Sequence, residues 1–222
     1  MSRQIDYFFT LSSPWAYLGH AAFVETATRH GVEVSYRPMP VRAVFDETGG
    51  LPLPKRHPAR QRYRLVELQR WRQRRGLPLS LQARSGSFDP SLADRLVIAI
   101  IASGSDPDAF LRRAFHALWA DALDLADEAV LARLVASVGL DAEPLLEAAA
   151  APASHERYEQ NRIEAIAAGV FGAPSYILDG ELFWGQDRVE LLDEALSEGR
   201  AAYLPQRVRD DTQPATPRTI SR

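Results

Sequence analysis

The sequence predicts an α/β fold in which a small sheet is interrupted by a large block of helices. Strand patterns occur near the N-terminus and again after residue 170, whereas the stretch between them shows helical periodicity and almost no strand signal. The composition, with 46% hydrophobic and 25% charged residues, is typical of a globular chain. A chain of this length buries roughly 70% of its unfolded surface, so it can form a core without crosslinks.

The N-terminal elements follow the order strand, helix, strand. Residues 5–11 are rich in aromatic and β-branched side chains and predict a buried strand. Ser13 and Pro14 predict a helix start, because serine favours the N-cap and proline the first helical position. Gly31 is a typical residue for the end of that helix. The alternation over residues 32–39 then predicts a second strand, parallel to the first through a right-handed crossover.

The rest of the chain predicts a helical block followed by a hairpin. Helical periodicity covers residues 58 to 168, and the predicted helices span 59–75, 90–102, 106–120, 127–138, 144–150 and 155–168. Two short strands, at 175–178 and 181–184, flank an Asp-Gly pair, which is a strong hairpin signal. A helix over residues 187–197 closes the order of elements.

This order predicts a thioredoxin-like fold with a large all-helical insertion. Residues 1–40 and 170–203 would form the thioredoxin-like domain, and residues 41–169 the inserted helical domain. Residues 204–222 contain few large apolar side chains and predict a disordered tail.

Composition excludes several classes of function. The chain has no cysteine, which rules out disulfides, thiolate metal sites and a cysteine nucleophile. Its formal net charge of −3 gives no reason to expect a nucleic-acid or acidic-membrane partner. The histidines show no metal-ligand spacing, so we predict no metal; they are His20, His30, His57, His116 and His155. The longest uncharged run of interest, 96–105, has about half of the roughly 20 residues needed to span a membrane. Because the chain has no cysteine that would suit an oxidising compartment and nothing that looks like a targeting segment, we expect a cytoplasmic protein.

Ser13 is the first candidate for chemistry. In a thioredoxin-like fold the first strand delivers the active residue to the N-terminus of the first helix. That terminus carries about half a positive charge and unpaired N–H groups, so it favours an anion or a thiolate. The Ser13 hydroxyl could donate a hydrogen bond to such a thiolate. The alternative is that Ser13 is only a helix cap.

Two further candidates flank the hairpin. A cis bond between Ala173 and Pro174 would leave the Ala173 backbone free to pair with an extended, peptide-like ligand. After the hairpin, Gln186 and Asp187 would bind the charged ends of a small peptide. The alternative for Asp187 is plain capping of the last helix.

A basic stretch remains open to three interpretations. Its cations are Lys55, Arg56, Arg60, Arg62, Arg64, Arg70, Arg72, Arg74 and Arg75. They could form a solvated face paired with the acidic residues 121–128, or one or two of them could bind an anion. Nucleic-acid binding is least favoured, because no stacking aromatics lie beside the charges.

The chain resembles the 2-hydroxychromene-2-carboxylate isomerases in the stretches IDYFFTLSSPWAYLG, RYRLVELQRW, FHALW and GVFGAPSYILDGELFWGQDR. This family is related to the kappa-class glutathione transferases and to DsbA-like proteins. The resemblance covers residues 4 to 195, and GVFGAPS…LFWGQDR is its most specific part. It implies a thioredoxin fold with a helical insertion, glutathione as cofactor, a serine in place of the redox cysteine, and a homodimer.

The resemblance also implies roles for individual residues. Ser13 matches the catalytic serine that contacts the glutathione sulfur. Positions that match the family's glutathione contacts are Arg60 for a carboxylate, Ala173 and Pro174 for the cysteinyl part, and Gln186 and Asp187 for the γ-glutamyl end. Thr10 departs from the family, which has an aspartate at this point of the first strand.

The predicted function is a glutathione-dependent cis–trans isomerase that adds a thiolate reversibly to an aromatic enone carboxylate. Its substrate pocket would be lined by Trp15, Lys55, Arg56, Tyr63 and Trp71, with at least one cation among Lys55, Arg56 and Arg60 pointing into the cleft. Alternatives are a kappa-like glutathione transferase and a non-catalytic module that binds glutathione or a peptide.

Overall fold

The computed structural model describes residues 3–81 and 89–205. Within them the strands are β1 (Gln4–Phe9), β2 (Glu33–Pro38), β3 (Ser175–Leu178) and β4 (Glu181–Trp184). The α-helices are α1 (Pro14–Arg29), α2 (Val41–Thr48), α3 (Pro58–Arg75), α4 (Ser91–Ala102), α5 (Asp108–Trp119), α6 (Glu128–Ala136), α7 (Ala142–Ala150), α8 (Pro152–Ala167) and α9 (Val189–Glu198). The predicted tail spans residues 204–222, and its part from residue 206 onward lies outside the described residues.

The sheet confirms the predicted thioredoxin-like fold with a helical insertion. Its strand order is β2-β1-β3-β4, with β1 parallel to β2 and antiparallel to β3. The hairpin between β3 and β4 turns at Asp179 and Gly180, which both have positive φ angles (52° and 86°). Positive φ at both central residues is the requirement of a type I′ turn, which explains the Asp-Gly pair.

One main core joins the sheet to the helical block. On β1, the fully buried Tyr7 ring stacks on Tyr176 of β3, with ring centroids 5.3 Å apart. Phe9 of β1 lies 6.3 Å from Phe115 of α5, and both belong to this core. The block therefore packs directly against the face of the sheet that carries α1.

Several elements differ from the prediction, and three of the differences have identifiable reasons. Helix α2 was not predicted, because it has no side-chain cap and buries only Val44. Helix α5 begins two residues late, since Asp106 accepts the Asp108 N–H and so caps the helix from outside. The residues predicted to open the last helix form a separate 3₁₀ turn, Gln186–Arg188.

No helix in the described ranges is long and apolar enough to cross a membrane. The apolar run at 96–105 begins inside α4, which has only 12 residues.

Candidate active site at the start of helix α1

Ser13 is the N-cap of α1, and its hydroxyl also reaches across the fold. The Oγ atom accepts the Ala16 N–H at 3.2 Å, and Pro14 occupies the first helical position. The same hydroxyl donates to the Ala173 carbonyl at 3.1 Å. Ser13 is 8% exposed, so it lies just below the surface. Ser13 is therefore a helix cap. Its hydroxyl proton remains directed at Ala173, which belongs to the second predicted site.

The bond between Ala173 and Pro174 is cis, as predicted. Strand β3 begins directly after it, and Ser175 donates its hydroxyl to the Gly172 carbonyl at 2.8 Å. The Pro174 carbonyl accepts the Gly185 N–H at 2.9 Å. These bonds fix the turn that presents the Ala173 carbonyl to α1. The two features lie 160 residues apart in sequence, and the fold brings them into contact.

The loop between β1 and α1 is held by two side chains that sequence reasoning missed. Leu11 donates its N–H to the Asp94 carboxyl of α4 at 2.9 Å. Its carbonyl accepts a hydrogen bond from the indole N–H of Trp119, in α5, at 3.0 Å. With both backbone groups bound to side chains, Leu11 cannot continue the sheet, which is why β1 ends before the predicted residue 11. An acidic residue within the apolar α4 was the available signal for Asp94.

Gln186 is buried between α1 and α3. It is 2% exposed, and a Cβ atom on Gly19 of α1 would lie only 2.6 Å from its own Cβ. Arg75 of α3 donates to the Gln186 side-chain oxygen at 3.3 Å and to its carbonyl at 3.2 Å. The Arg75 guanidinium also lies 5.3 Å from the centre of the Trp71 ring. Gln186 and Trp71 are thus joined through one arginine.

Asp187 is not the helix cap that the simpler interpretation proposed, and its carboxylate is ion-paired with Arg188 while part of it stays open to solvent. The N-cap of α9 is Arg188, which makes no side-chain capping bond. The Asp187 carboxylate is partly exposed and pairs with Arg188 at 3.0 Å. It lies over Gly185, where φ is 106° and an added Cβ would sit 2.5 Å from the carboxylate oxygen. The residue is therefore available to a ligand.

The remaining predicted residues lie in α1, in α3 and in the segment just before α3, and most of those near the start of α3 face solvent. Lys55 and Arg60 are exposed, and Tyr63 is 59% exposed. Arg56 is partly buried and donates to the Leu51 carbonyl at 2.7 Å. No described hydrogen bond connects these four residues to Ser13. By contrast, Trp15 and Trp71 are partly buried against the main core.

Arg64 is a cation that the sequence did not single out. It is partly buried, and within the described ranges it has no acidic partner. Burial lowers its pKa, and the charge of Arg56 lowers it further. Burial and then Arg60 lower the pKa of Arg56 in the same way. In the second half of the helix, by comparison, Arg70 pairs with Glu67 and Arg74 with Glu190.

Two cavities lie at the edges of the sheet. One, of about 850 Å³, runs beside β2, and the other, of about 570 Å³, runs beside β4. Neither is lined by Ser13, Ala173 or Trp71, so neither is the predicted substrate pocket. Among the described residues, no group of three His, Asp or Glu side chains could hold a metal ion.

A strand that leads into a serine-capped helix, facing a cis-proline turn across a thioredoxin sheet, defines a DsbA-like protein. The family model of the DsbA-like thioredoxin domain matches residues 4–197. The 2-hydroxychromene-2-carboxylate isomerase of Sphingobium xenophagum is 31% identical over 198 residues, which are 88% of this chain and 99% of that protein. The isomerase of the same name from Pseudomonas putida is 28% identical, over 86% of this chain and 93% of its own.

Comparison with solved structures leads to the same family as comparison of the sequences. A solved 2-hydroxychromene-2-carboxylate isomerase superposes with a TM-score of 0.73 at 25% identity, covering 95% of this chain and all of the other. The probable DsbA oxidoreductase SCO1869 from Streptomyces coelicolor shares the fold, with a TM-score of 0.72 at 22% identity over 91% of this chain and 92% of its own. The chain belongs to the DsbA-like family and, within it, to the 2-hydroxychromene-2-carboxylate isomerases. This membership supports isomerase activity.

Proposed function

We propose that this protein is a glutathione-dependent cis–trans isomerase that acts on an aromatic enone carboxylate of the 2-hydroxychromene-2-carboxylate type. The observation that carries the proposal is the 3.1 Å contact between the Ser13 hydroxyl and the Ala173 carbonyl. It places a hydroxyl donor, a helix N-terminus and a backbone acceptor at one point. The hydroxyl donor and the helix N-terminus favour a thiol bound as its thiolate, and the acceptor could pair with an N–H of the peptide that carries the thiol.

Bound glutathione would replace the hydrogen bond between Ser13 and Ala173 with two hydrogen bonds, one to each of these residues. In the free protein the Ser13 proton is engaged by Ala173. A cysteinyl N–H of glutathione can donate to the Ala173 carbonyl instead, and this releases the Ser13 proton to donate to the sulfur. The hydroxyl keeps its capping bond from Ala16 throughout, because that bond uses an oxygen lone pair. The dipole of α1 favours the ionised thiol at the same place.

The chemistry requires no redox change. The thiolate forms a C–S bond to a conjugated carbon of the ring-opened substrate, and the electrons of the double bond move onto the carbonyl as an enolate. The former double bond is now single and rotates. The enolate then returns its electrons, expels the thiolate and leaves the trans double bond. No protein cysteine takes part, which is consistent with a chain that has none.

The ends of the two ligands would meet charged side chains. Asp187, which is partly exposed, would accept the γ-glutamyl ammonium group. Arg60 would bind a carboxylate of glutathione. Arg56 and Arg64 would hold the substrate carboxylate, because both are partly buried and Arg64 has no acidic partner in the described residues. The homodimer stays a prediction, which light scattering in solution would check.

The test is an isomerase assay with purified protein, run with and without reduced glutathione. We expect turnover of 2-hydroxychromene-2-carboxylate only with glutathione, together with thiolate absorbance of the bound peptide at pH 7. Release of a glutathione adduct would instead indicate a transferase. Binding of glutathione without turnover would indicate a non-catalytic module. Turnover that does not depend on glutathione would overturn the proposed mechanism.

A further inference from the structure

Helix α4 carries a carboxyl group in a buried and mostly apolar stretch. Asp94 is fully buried, as are Leu96, Val97 and Ile100 in the same helix. A buried carboxyl group costs several kcal/mol unless hydrogen bonds compensate for the lost hydration. Asp94 therefore needs partners, and the identity of those partners indicates its role.

The partners come from two distant parts of the chain. The Leu11 N–H donates to one carboxyl oxygen at 2.9 Å, and the Tyr158 hydroxyl of α8 donates to the other at 2.8 Å. The Thr10 hydroxyl, in the same loop, lowers the pKa of Asp94 and so favours its ionised form. Trp119 binds the Leu11 carbonyl from the other side. The loop that precedes α1 is thus held by two helices of the inserted block.

The same loop determines where Ser13 lies. The Thr10 carbonyl accepts the Ser13 N–H at 3.1 Å. The Thr10 hydroxyl lies 3.1 Å from the Ser12 hydroxyl and accepts the Ser12 N–H at 3.3 Å. A shift of Leu11 or Thr10 would therefore move Ser13 away from Ala173.

We propose that Asp94 is a positioning residue of the active site, which acts through Leu11 and Thr10 to hold the Ser13 hydroxyl in place. Its catalytic consequence rests on the proposed function, whereas the anchoring of the loop does not. Asp94 thus brings a carboxyl group from α4 to the loop that carries Thr10 and Leu11.

The anchor responds to pH. Burial raises the pKa of Asp94 to about 7, while the hydrogen bonds from Leu11, Thr10 and Tyr158 oppose that shift. Asp89, before α4, raises the pKa slightly further. Arg95 is the adjacent cation, but it donates to the Ala149 carbonyl. The groups that hydrogen-bond to Asp94 are all donors, so the ionised form holds the loop more firmly, and protonation below about pH 7 weakens that hold.

The direct test follows the Leu11 amide by nuclear magnetic resonance in the ligand-free protein. Its proton shift should titrate with a midpoint near pH 7, and the titration should vanish in Asp94→Asn. The matched control is Asp46→Asn, which makes the same change at an exposed site on α2. If Asp94→Asn does not fold, Tyr158→Phe serves instead: loss of its hydroxyl should move the midpoint to higher pH. A Leu11 amide shift that is the same in Asp94→Asn as in the wild type at every pH would overturn the anchor.

The kinetic test uses the same variants with glutathione and 2-hydroxychromene-2-carboxylate. Asp94→Asn should lower kcat roughly 10- to 100-fold, as expected when a reacting group is displaced. The KM for glutathione should change little, and the fall of kcat below about pH 7 should disappear. An unchanged kcat and pH profile would overturn the positioning role. If wild-type protein shows no turnover while Leu11 still titrates, the proposed function fails and the anchor stands.

Discussion

The two ends of the proposed ligand site are built differently. At the α1 end, Ser13 and Gln186 are nearly buried, and each is hydrogen-bonded to another part of the protein. At the far end, along the first half of α3, Arg60 is exposed and Arg64 is partly buried with no acidic partner in the described ranges. The first end is held by hydrogen bonds within the protein, whereas the second has cations whose charges the described part of the fold leaves uncompensated.

This difference indicates what each end does. A preassembled group can act on a reacting atom without being reorganised, which is how a protein stabilises a developing charge. A partly buried guanidinium without an acid is unfavourable until an anion reaches it. Substitutions at the α1 end should therefore reduce the rate of the chemical step, and substitutions on α3 should reduce the affinity for anionic ligands.

The largest effect should come from Ser13→Ala. Loss of the hydroxyl removes the donor to the thiolate, and removal of one such donor typically lowers kcat about 100-fold or more. The bound glutathione should also lose thiolate absorbance at pH 7. A wild-type absorbance in this variant would show that the serine does not hold the sulfur.

Ser13→Gly separates this effect from the loss of the helix cap. Glycine is nearly as good an N-cap as serine, whereas alanine costs about 1 kcal/mol of stability. Both variants should lose activity equally, while only Ser13→Ala should unfold at lower denaturant concentration. If activity followed stability instead, the capping role alone would explain Ser13.

Asp187→Ala should weaken glutathione binding by roughly 1–3 kcal/mol, the cost of losing a charged hydrogen-bond partner. Titration calorimetry would measure the change. Glu194→Ala is a control that removes an exposed carboxylate from α9. Equal affinity in Asp187→Ala and wild type would place the γ-glutamyl end elsewhere.

Sequence could predict the parts of the fold that depend on neighbouring residues. The serine and proline that start α1, the Asp-Gly hairpin and the turn at Pro174 are local signals, and the structure contains all three. The contacts of Leu11 could not be predicted from the sequence, because Asp94 and Trp119 lie 83 and 108 residues away along the chain.

The basic helix shows a second limit. The sequence alone does not show which arginine side chains of α3 face the core and which face solvent. Arg64 lies one helical turn before Leu68, which is 3% exposed, so it shares the inward face. Arg60 lies one turn earlier still and is exposed. Whether Arg60 or Arg64 is buried depends on how far along α3 the contact with the core extends, and the sequence does not show this.

Arg64→Gln should raise KM for the carboxylate substrate about fivefold, as expected for the loss of a partly exposed charge pair. The KM for an ester or amide of that substrate should change much less. Arg62→Gln, an exposed neighbour on the same helix, is the matched control. An equal loss for charged and neutral substrates would mean that α3 is only a solvated face.

The smallest effect should come from Glu190→Gln, which breaks the ion pair between α9 and Arg74 of α3. The side chains of this pair are 55% and 61% exposed, so water and salt screen their attraction. Exposed pairs contribute about 0.2–1 kcal/mol, and we expect the low end of that range in denaturant unfolding. Arg75→Gln should cost more, because Arg75 donates two hydrogen bonds to the buried Gln186. If Glu190→Gln cost as much as Arg75→Gln, then a surface pair would fix α3, and the position of its cations would vary with ionic strength.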